Sequence, residues 1–288
     1  MKTFCTQCPL KCNIDRTLYK GRCGVSSTLK IAKYYLHPFE EPLISKNNRS
    51  GTIFFSGCSL KCVFCQNYEI SHNTLGKEIS TLELIDLFKR LEDDGADNIS
   101  LVTPTHYVTQ ICEALEKYKP KVPIVYNTHG YENLENLKLI DPYIDVYLPD
   151  LKFISNDLSK RYTKVDNYFT IAEPAIKFMM DSKKTVIVDG QMTSGVIIRH
   201  LILPLCVNDS ISVVDWFSRN AKNNAYLSLM SQYTPIKQFE KTKELNRPIT
   251  NKEYQKVLDK VYFFNLENII VQEKSSVGKN FIPNWDLT

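Results

Sequence analysis

From residue 51 onward, short apolar segments alternate with amphipathic segments of helical period. The apolar segments are rich in Val, Ile and Leu, which is typical of buried strands in a parallel sheet. Such an alternation predicts right-handed βαβ crossovers, and six or seven units fit an incomplete barrel better than a long open sheet. The predicted fold class is therefore α/β, as a partial (β/α)6-type barrel. Its strands are predicted over residues 53–56, 99–102, 123–126, 145–148, 195–203, 226–230 and 268–271.

Helix signals fall between these strands. Ser80 followed by Glu83 forms a capping box that opens a helix, and Pro120 ends the helix after it. Further helices are predicted over residues 108–118, 132–140, 155–162, 168–181, 211–219 and 253–264.

Polar residues gather directly after the first four predicted strands. Three cysteines follow the first strand, and residues 103–106, 127–130 and 150–152 follow the next three. Functional residues of a β/α barrel lie at the carboxyl ends of its strands. The sequence therefore predicts one site built from these four loops.

The cysteine run after the first strand is the most specific chemical signal. Cys58, Cys62 and Cys65 have the spacing Cys-x3-Cys-x2-Cys. Three thiolates at this spacing can hold three corners of a four-iron cluster, and without a fourth thiolate nearby they leave one iron open to another ligand. The run comes after an apolar segment ended by Gly57, so we expect it on a loop leaving a buried strand.

A second group of cysteines lies near the amino terminus. Cys5, Cys8, Cys12 and Cys23 form a set of four. Four thiolates can close a tetrahedral zinc site or saturate a second four-iron cluster, and the spacing leaves both interpretations open. A disulfide or a metal-free module is a third alternative. The segment is short and polar, so a bound metal would supply its folding energy.

Composition limits the class of protein. Nine cysteines favour metal or redox chemistry over disulfides, provided the compartment is reducing. A net charge of +4, without a basic stripe, gives no reason to expect nucleic acid as a partner. The amino terminus lacks an apolar signal core, and apolar runs stay shorter than the roughly 18 residues that a membrane helix needs. We therefore expect a cytoplasmic protein without a membrane partner.

Two parts are predicted along the 288 residues. Residues 1–49 form a cysteine-rich metal-binding extension and linker, of which residues 34–42 are a connector stiffened by proline. Residues 50–288 form the barrel with a C-terminal tail. Cys112 and Cys206 lie outside both cysteine groups and are expected to be packed apolar side chains.

The run Cys58-x3-Cys62-x2-Cys65, with Phe64 before its last cysteine, resembles the motif of the radical S-adenosylmethionine (SAM) superfamily. The resemblance implies a 4Fe-4S cluster whose open iron is chelated by the amino and carboxylate groups of SAM. It also implies an oxidoreductase in which the reduced cluster cleaves SAM, and the resulting 5′-deoxyadenosyl radical abstracts a hydrogen atom. The protein itself would supply orientation and exclude water.

Within that superfamily, the chain most resembles the pyruvate formate-lyase activating enzymes and their uncharacterised relatives, over about residues 50–235. Their Asp-Thr-Asn-Gly turn corresponds to residues 127–130 here, and their Asp-Leu-Lys segment corresponds to residues 150–152. The resemblance gives Asp150 and Lys152 catalytic roles, with Lys152 beside the methionine carboxylate of SAM. It also implies a monovalent cation at Asp150 and Thr128, although Asn127 replaces one acid of that turn.

One loop departs from the family pattern. The methionine amino group is commonly held there by a Gly-Gly-Glu turn, whereas this chain has Thr103-Pro104-Thr105-His106, which lacks the carboxylate. The cofactor-binding residues implied by the resemblance are Phe64, Thr103, Thr105, His106, Asn127, Thr128, Asp150, Lys152 and Arg199.

The leading hypothesis is an enzyme that makes a carbon-centred radical on a protein or peptide, as a glycyl radical enzyme activase does. An alternative keeps the same radical chemistry but modifies a small molecule or a ribosomally made peptide. A third is an electron-transfer or metal-storage protein without turnover. The expected partners are an electron donor such as flavodoxin or ferredoxin, and a glycyl radical enzyme or peptide as substrate.

Overall fold

The computed structural model describes residues 4–271 and 285. The strands are β1 Leu29–His37, β2 Ser50–Phe55, β3 Lys77–Ile79, β4 Asn98–Val102, β5 Ile124–Thr128, β6 Val146–Pro149, β7 Val186–Val188, β8 Gln191–Leu201, β9 Tyr226–Met230 and β10 Ile269–Val271. The helices are α1 Tyr68–Ser71, α2 Thr81–Asp93, α3 Val108–Lys117, α4 Leu134–Ile140, α5 Asn156–Thr163, α6 Tyr168–Ser182, α7 Val207–Asn220 and α8 Asn251–Phe263. None of these helices has the length and apolar character needed to span a bilayer.

Nine of the strands form a sheet in the order β10-β9-β8-β6-β5-β4-β2-β1-β3, and the tenth, β7, pairs antiparallel with β8. Strands β2, β4, β5, β6, β8, β9 and β10 pair in parallel, so their carboxyl ends lie at one edge of the sheet. Each predicted strand coincides with one of these seven, and the capping box of Ser80 and Glu83 opens α2 as predicted. The predicted α/β fold with an open, partial barrel is confirmed.

One long strand was not predicted. Strand β1 lies within the segment assigned to the extension and linker, yet it pairs antiparallel with β2 and belongs to the main sheet. Its sequence, LKIAKYYLH, mixes lysines and tyrosines with aliphatic residues and lacks the apolar run of the other strands. An antiparallel strand beside the end of a parallel sheet is less buried, which explains this weaker pattern.

The amino-terminal module, residues 4–28, packs against the barrel through backbone acceptors. Arg16 Nη1 donates to the carbonyl oxygen of His106 at 2.6 Å. Asn133 Nδ2 donates to the carbonyl oxygen of Thr6 at 3.0 Å, close to the start of α4. These contacts fix the module at the end of the barrel where α3 and α4 begin.

The main core lies between the sheet and the helices. It contains Phe55 of β2, Phe88 of α2 and Ile99 of β4, all of them buried. Cys112 and Cys206 are buried too, as expected. Residues 272–284 and 286–288 of the predicted tail lie outside the described residues, whereas the Trp285 ring packs against Phe54 with 5.2 Å between centroids.

We predict that Phe88→Ala lowers the free energy of unfolding by about 3–5 kcal/mol, because it leaves a cavity under the sheet. Leu82→Ala on the same helix is the matched control, since Leu82 is 65% exposed, and it should change stability by less than about 0.5 kcal/mol. Urea denaturation followed by circular dichroism measures both. Equal losses for the two variants would contradict the packing of α2 described above.

Candidate functional site

A cavity of about 220 Å³ opens at the carboxyl ends of the parallel strands. The loop after β2 contributes Cys58, Cys62 and Cys65 to its lining together with three of their neighbours, and the ends of five other strands contribute the rest. Its other lining residues are Phe64, Gln66, Asn67, Val102, Thr103, Asn127, Thr128, His129, Asp150, Lys152, Arg199, Leu201, Leu203, Met230 and Gln232.

Backbone hydrogen bonds set the shape of the cysteine loop. Gly57, with φ of 85°, turns the chain out of β2, and Lys61 also has a positive φ, of 51°. The N–H of Cys65 donates to the carbonyl oxygen of Cys62 at 3.1 Å, and the N–H of Val63 donates to that of Tyr162 at 2.9 Å. The loop is therefore held both by its own turn and by α5.

Phe64 fixes this loop in the core. Its ring packs edge-on against Phe153 at 6.1 Å and against Tyr162 at 6.2 Å between centroids. Such aromatic pairs contribute about 0.5–1.5 kcal/mol beyond the area that they bury. Phe64 thus both lines the cavity and holds the cysteines in place.

Burial keeps the three thiols of this loop protonated while no metal is bound. Burial raises the pKa of Cys58 to about 11, and it also raises the pKa values of Cys62 and Cys65. Because a metal binds the thiolate, cluster formation would release these protons. Within residues 4–271 and 285, no three His, Cys, Asp or Glu side chains are arranged to hold a single metal ion. A 4Fe-4S cluster places each thiolate on a different iron and does not need that arrangement.

A partly buried charged group forms another wall of the cavity. Asp150 accepts hydrogen bonds from Lys152 Nζ at 2.7 Å and from Arg199 Nε at 3.0 Å. Arg199 Nη2 also donates to the side-chain oxygen of Asn127 at 2.6 Å. Burial opposes ionisation of Asp150, but the two adjacent cations hold its pKa below the usual value. Two cations and one carboxylate leave an excess of positive charge at this wall.

The loop that carries Asp150 is fixed by β5 and α6. The N–H of Asp150 donates to the carbonyl oxygen of Thr128 at 2.8 Å. The hydroxyl of Tyr168 donates to the carbonyl oxygen of Asp150 at 2.6 Å and accepts the N–H of Lys152 at 3.0 Å. Gly130 has φ of 77°, and a Cβ there would collide with that same carbonyl oxygen. The charged group is therefore placed by backbone contacts.

Two of the predicted cofactor-binding residues point elsewhere. Thr105 is buried and donates to Glu132 Oε1 at 2.5 Å, while His106 Nε2 lies 2.8 Å from the carbonyl oxygen of Ser56. Neither residue lines the cavity, whereas Thr103 of the same loop does. Both are structural partners of neighbouring loops.

The structure also brings in residues that the sequence reasoning did not select. His129 lines the cavity, and its Nε2 lies 3.0 Å from the hydroxyl of Ser59. Burial lowers the pKa of His129 to about 3, and nearby Lys152 contributes, so the ring is neutral. The position of His129 in the loop after a predicted strand was the signal in the sequence that could have selected it. Three further residues that line the cavity also lie at or just after the carboxyl ends of strands, namely Leu203, Met230 and Gln232.

Two buried carboxyl groups had no local signal in the sequence. Glu132 accepts hydrogen bonds from the hydroxyls of Thr105 and Thr128, and burial raises its pKa to about 7. Glu41 lies in the predicted connector, accepts a hydrogen bond from Ser228 at 2.7 Å, and also has a pKa raised to about 7 by burial. Only the tertiary fold places them next to their partners.

The four amino-terminal cysteines form a second group in space. Cys8 lies close enough to Cys5, Cys12 and Cys23 for their charges to interact. All nine cysteines of the chain are free thiols in the structure. The kind of group that this set binds stays a prediction.

Comparison with known proteins identifies the family. The Radical SAM superfamily model matches residues 52–190. An uncharacterized protein of Methanocaldococcus jannaschii is 31% identical over 277 residues, covering 92% of this chain and 76% of that protein. This chain belongs to the radical SAM superfamily.

Solved structures agree in fold. SuiB of Streptococcus suis bound to precursor peptide SuiA has a TM-score of 0.52 at 15% identity, over 75% of this chain and 46% of SuiB. A radical SAM methyltransferase of Sphaerobacter thermophilus has a TM-score of 0.51 at 15% identity, over 77% of this chain and 66% of that protein. The chain thus spans less than half of SuiB.

Membership of the radical SAM superfamily implies a 4Fe-4S cluster and SAM. The residues fit these groups, because three thiols suit iron and the positive wall suits a carboxylate. Cys58, Cys62 and Cys65 would hold the cluster, and Lys152 and Arg199, which line the same cavity, would stabilise an anionic group of SAM.

We predict slow alkylation of Cys58 in the metal-free protein. With its pKa raised to about 11, this thiol should react with iodoacetamide near pH 8 roughly 100-fold more slowly than in urea, because far less thiolate is present. The rate should rise tenfold per pH unit up to that pKa. Quenched samples analysed by peptide mass spectrometry give the rate for each cysteine. Equal rates in buffer and in urea would contradict the buried loop.

Proposed function

We propose that this chain is a radical SAM oxidoreductase that abstracts a hydrogen atom from a protein or peptide. The proposal rests on one observation: the three-cysteine loop and the charged group of Asp150, Lys152 and Arg199 border the same cavity. When bound, the 4Fe-4S cluster and SAM supply reductive cleavage of a sulfonium and a 5′-deoxyadenosyl radical. The chain supplies the binding, orientation and shielding.

Lys152 is suited to bind the methionine carboxylate of SAM. Its ammonium is fixed by Asp150, which Arg199 in turn holds from the other side. The excess positive charge attracts a carboxylate, and a desolvated charge-assisted hydrogen bond contributes about 1.5–3 kcal/mol. Asp150 is therefore a positioning residue for Lys152 as well as a candidate ligand of a monovalent cation with Thr128.

Apolar side chains cover the remaining wall of the cavity. Val102, Leu201 and Met230 come from three different strands and line it together with Phe64. An apolar lining excludes water from reacting atoms and strengthens the electrostatic contacts opposite. A carbon-centred radical needs such shielding, because solvent and other side chains would otherwise quench it.

A protein or peptide substrate is supported by two likenesses. The Asn-Thr-His-Gly and Asp-Leu-Lys segments of this chain resemble those of the activating enzymes, which act on a protein. SuiB, which shares the fold, has been solved with a precursor peptide bound. We further propose an electron-carrier protein as donor, and a reducing cytoplasm that keeps the nine cysteines as thiols.

We predict that reconstituted protein, reduced with dithionite under anaerobic conditions and given SAM, releases 5′-deoxyadenosine. Cys62→Ala should reduce this release to background, because one corner of the cluster is lost. Cys112→Ala is the matched control: this buried cysteine lies on α3 outside the site and should retain activity. Chromatography of quenched samples measures the product. Absence of release from fully loaded, reduced protein would refute the proposal.

The same assay identifies the substrate class. An extract of the source organism grown in D₂O is separated by ultrafiltration, and each fraction is added to the reaction. Deuterium should enter 5′-deoxyadenosine with the retained macromolecules. Transfer from the filtrate alone, and to the same extent after protease digestion of that filtrate, would instead establish a small molecule as the substrate.

We predict that Lys152→Met weakens SAM binding to the cluster-loaded protein by roughly 10- to 150-fold, which corresponds to about 1.5–3 kcal/mol. Lys177→Met is the control, because Lys177 forms an exposed pair with Glu173 on α6 and should leave the affinity unchanged. Anaerobic calorimetry measures both affinities. A Lys152 variant with normal affinity and normal iron content would exclude the carboxylate contact.

A further inference from the structure

The backbone of the amino-terminal module draws its four cysteines together. The N–H of Cys5 donates to the carbonyl oxygen of Ile14 at 2.8 Å, and the N–H of Asn13 donates to that of Cys5 at 3.2 Å. A turn from Cys8 to Lys11, closed at 3.0 Å, lies between them. This pairing folds the segment back on itself and brings the backbone next to Cys12 close to Cys5.

Gly21 leaves room for two of these thiols. A Cβ at Gly21 would lie 3.4 Å from Cys12 Sγ and 3.7 Å from Cys23 Sγ. The two sulfurs therefore border the same small space, although they are separated by a loop in the sequence. A side chain at position 21 would narrow the space between them.

The four thiols lie at different depths. Cys5 and Cys12 are partly exposed, whereas Cys8 and Cys23 are buried. A group held by all four would have one side near the solvent and the other toward the barrel. Such a position suits the transfer of an electron from an outside donor.

The buried end of this set touches the cysteine loop of the main site. The N–H of Cys58 donates to the carbonyl oxygen of Cys23 at 3.2 Å. Gly57 permits this approach, since a Cβ there would lie 2.7 Å from the same oxygen. Arg22 secures the contact by donating from Nε to the carbonyl oxygen of Ser59 at 3.1 Å. One hydrogen bond therefore joins a residue of each cysteine set.

We propose that Cys5, Cys8, Cys12 and Cys23 hold a redox-active 4Fe-4S cluster that passes electrons to the cluster at Cys58, Cys62 and Cys65. This inference rests on the proposed function for the second of these clusters. A reduced one-electron carrier such as flavodoxin gives up one electron, and the amino-terminal cluster goes from the 2+ to the 1+ state. It returns to 2+ when the main-site cluster is reduced from 2+ to 1+. The hydrogen bond between Cys58 and Cys23 is a direct backbone connection for this transfer, and no proton moves.

The difference in burial between the two sets favours a relay. Two of the three main-site cysteines, Cys58 and Cys62, are buried and Cys65 is partly exposed, whereas the amino-terminal set has two partly exposed cysteines, Cys5 and Cys12, through which a protein donor can approach it. Structural zinc at the amino-terminal set would stabilise the module without accepting an electron.

The first test isolates the amino-terminal set. A Cys58→Ala, Cys62→Ala, Cys65→Ala triple variant should retain about four irons after reconstitution and show the electron paramagnetic resonance signal of a reduced 4Fe-4S cluster. This readout does not depend on SAM cleavage, so it separates failure of this inference from failure of the proposed function. One zinc per chain and no iron would overturn the proposal.

The second test concerns the contact between the two sets. Fully reduced wild-type protein should hold about eight irons, with a spectrum broadened by coupling between two nearby spins. The summed spectra of the triple variant and a Cys5→Ala, Cys12→Ala variant should not reproduce that broadening. If the wild-type spectrum equals the sum of the two variant spectra, the two clusters do not interact, and the relay is overturned.

The third test follows electron flow in the intact protein. Wild-type protein is mixed with less than one equivalent of reduced flavodoxin and frozen at successive times. The signal of the amino-terminal cluster, known from the triple variant, should appear first and decline as the second signal rises. With Cys5→Ala, Cys12→Ala protein, reduction by flavodoxin should be at least tenfold slower, while reduction by dithionite still goes to completion. If the main-site signal appears before the amino-terminal signal in the wild-type protein, the relay is refuted. This result does not depend on whether the Cys5→Ala, Cys12→Ala variant folds.

Discussion

The carboxylate of Asp150 is the interaction on which the site depends. It accepts hydrogen bonds from Lys152 and Arg199, and so joins the end of β6 to β8, while Arg199 continues to Asn127 on β5. Each of the three side chains is only 17% exposed, so removing one partner would leave a largely desolvated charge without its counter-ion. The three charges therefore stabilise one another, and their sum makes this part of the cavity that the cysteines also line positive.

This charged group depends in turn on parallel strand pairing. Because β5, β6 and β8 run in the same direction, the loops that follow them meet at one edge of the sheet. A direct backbone pairing between Asp150 and Arg199 extends the β6 and β8 ladder to the charged residues themselves. The distance between the two side chains is thus set by hydrogen-bonded backbone, which is more rigid than a loop.

Much of this arrangement could be predicted from local sequence. Period and composition located the parallel strands, and the rule for strand ends selected Asp150, Lys152 and the three cysteines of the main site. Thr105 and His106 followed the same rule but turn away, because partners on neighbouring loops, Glu132 and Ser56, bind their side chains. Which side chain of a loop enters a cavity depends on its tertiary partners, which local patterns do not encode. Strand β1 was not predicted for a related reason. Its apolar pattern is weak, and the strand is stabilised by its tertiary pairing with β2.

The docking of the amino-terminal module has a consequence for the order of events during synthesis. The module is bound by groups far along the chain: Arg22 donates to the carbonyl oxygen of Thr163, and Asn136 Nδ2 donates to that of Gln7. Translation proceeds from the amino terminus, so the first four cysteines leave the ribosome more than a hundred residues before the surfaces that bury them. For that interval their thiols are open to iron, to zinc and to oxidants alike. The module can therefore complete its docking onto the barrel only after these later residues have been synthesised.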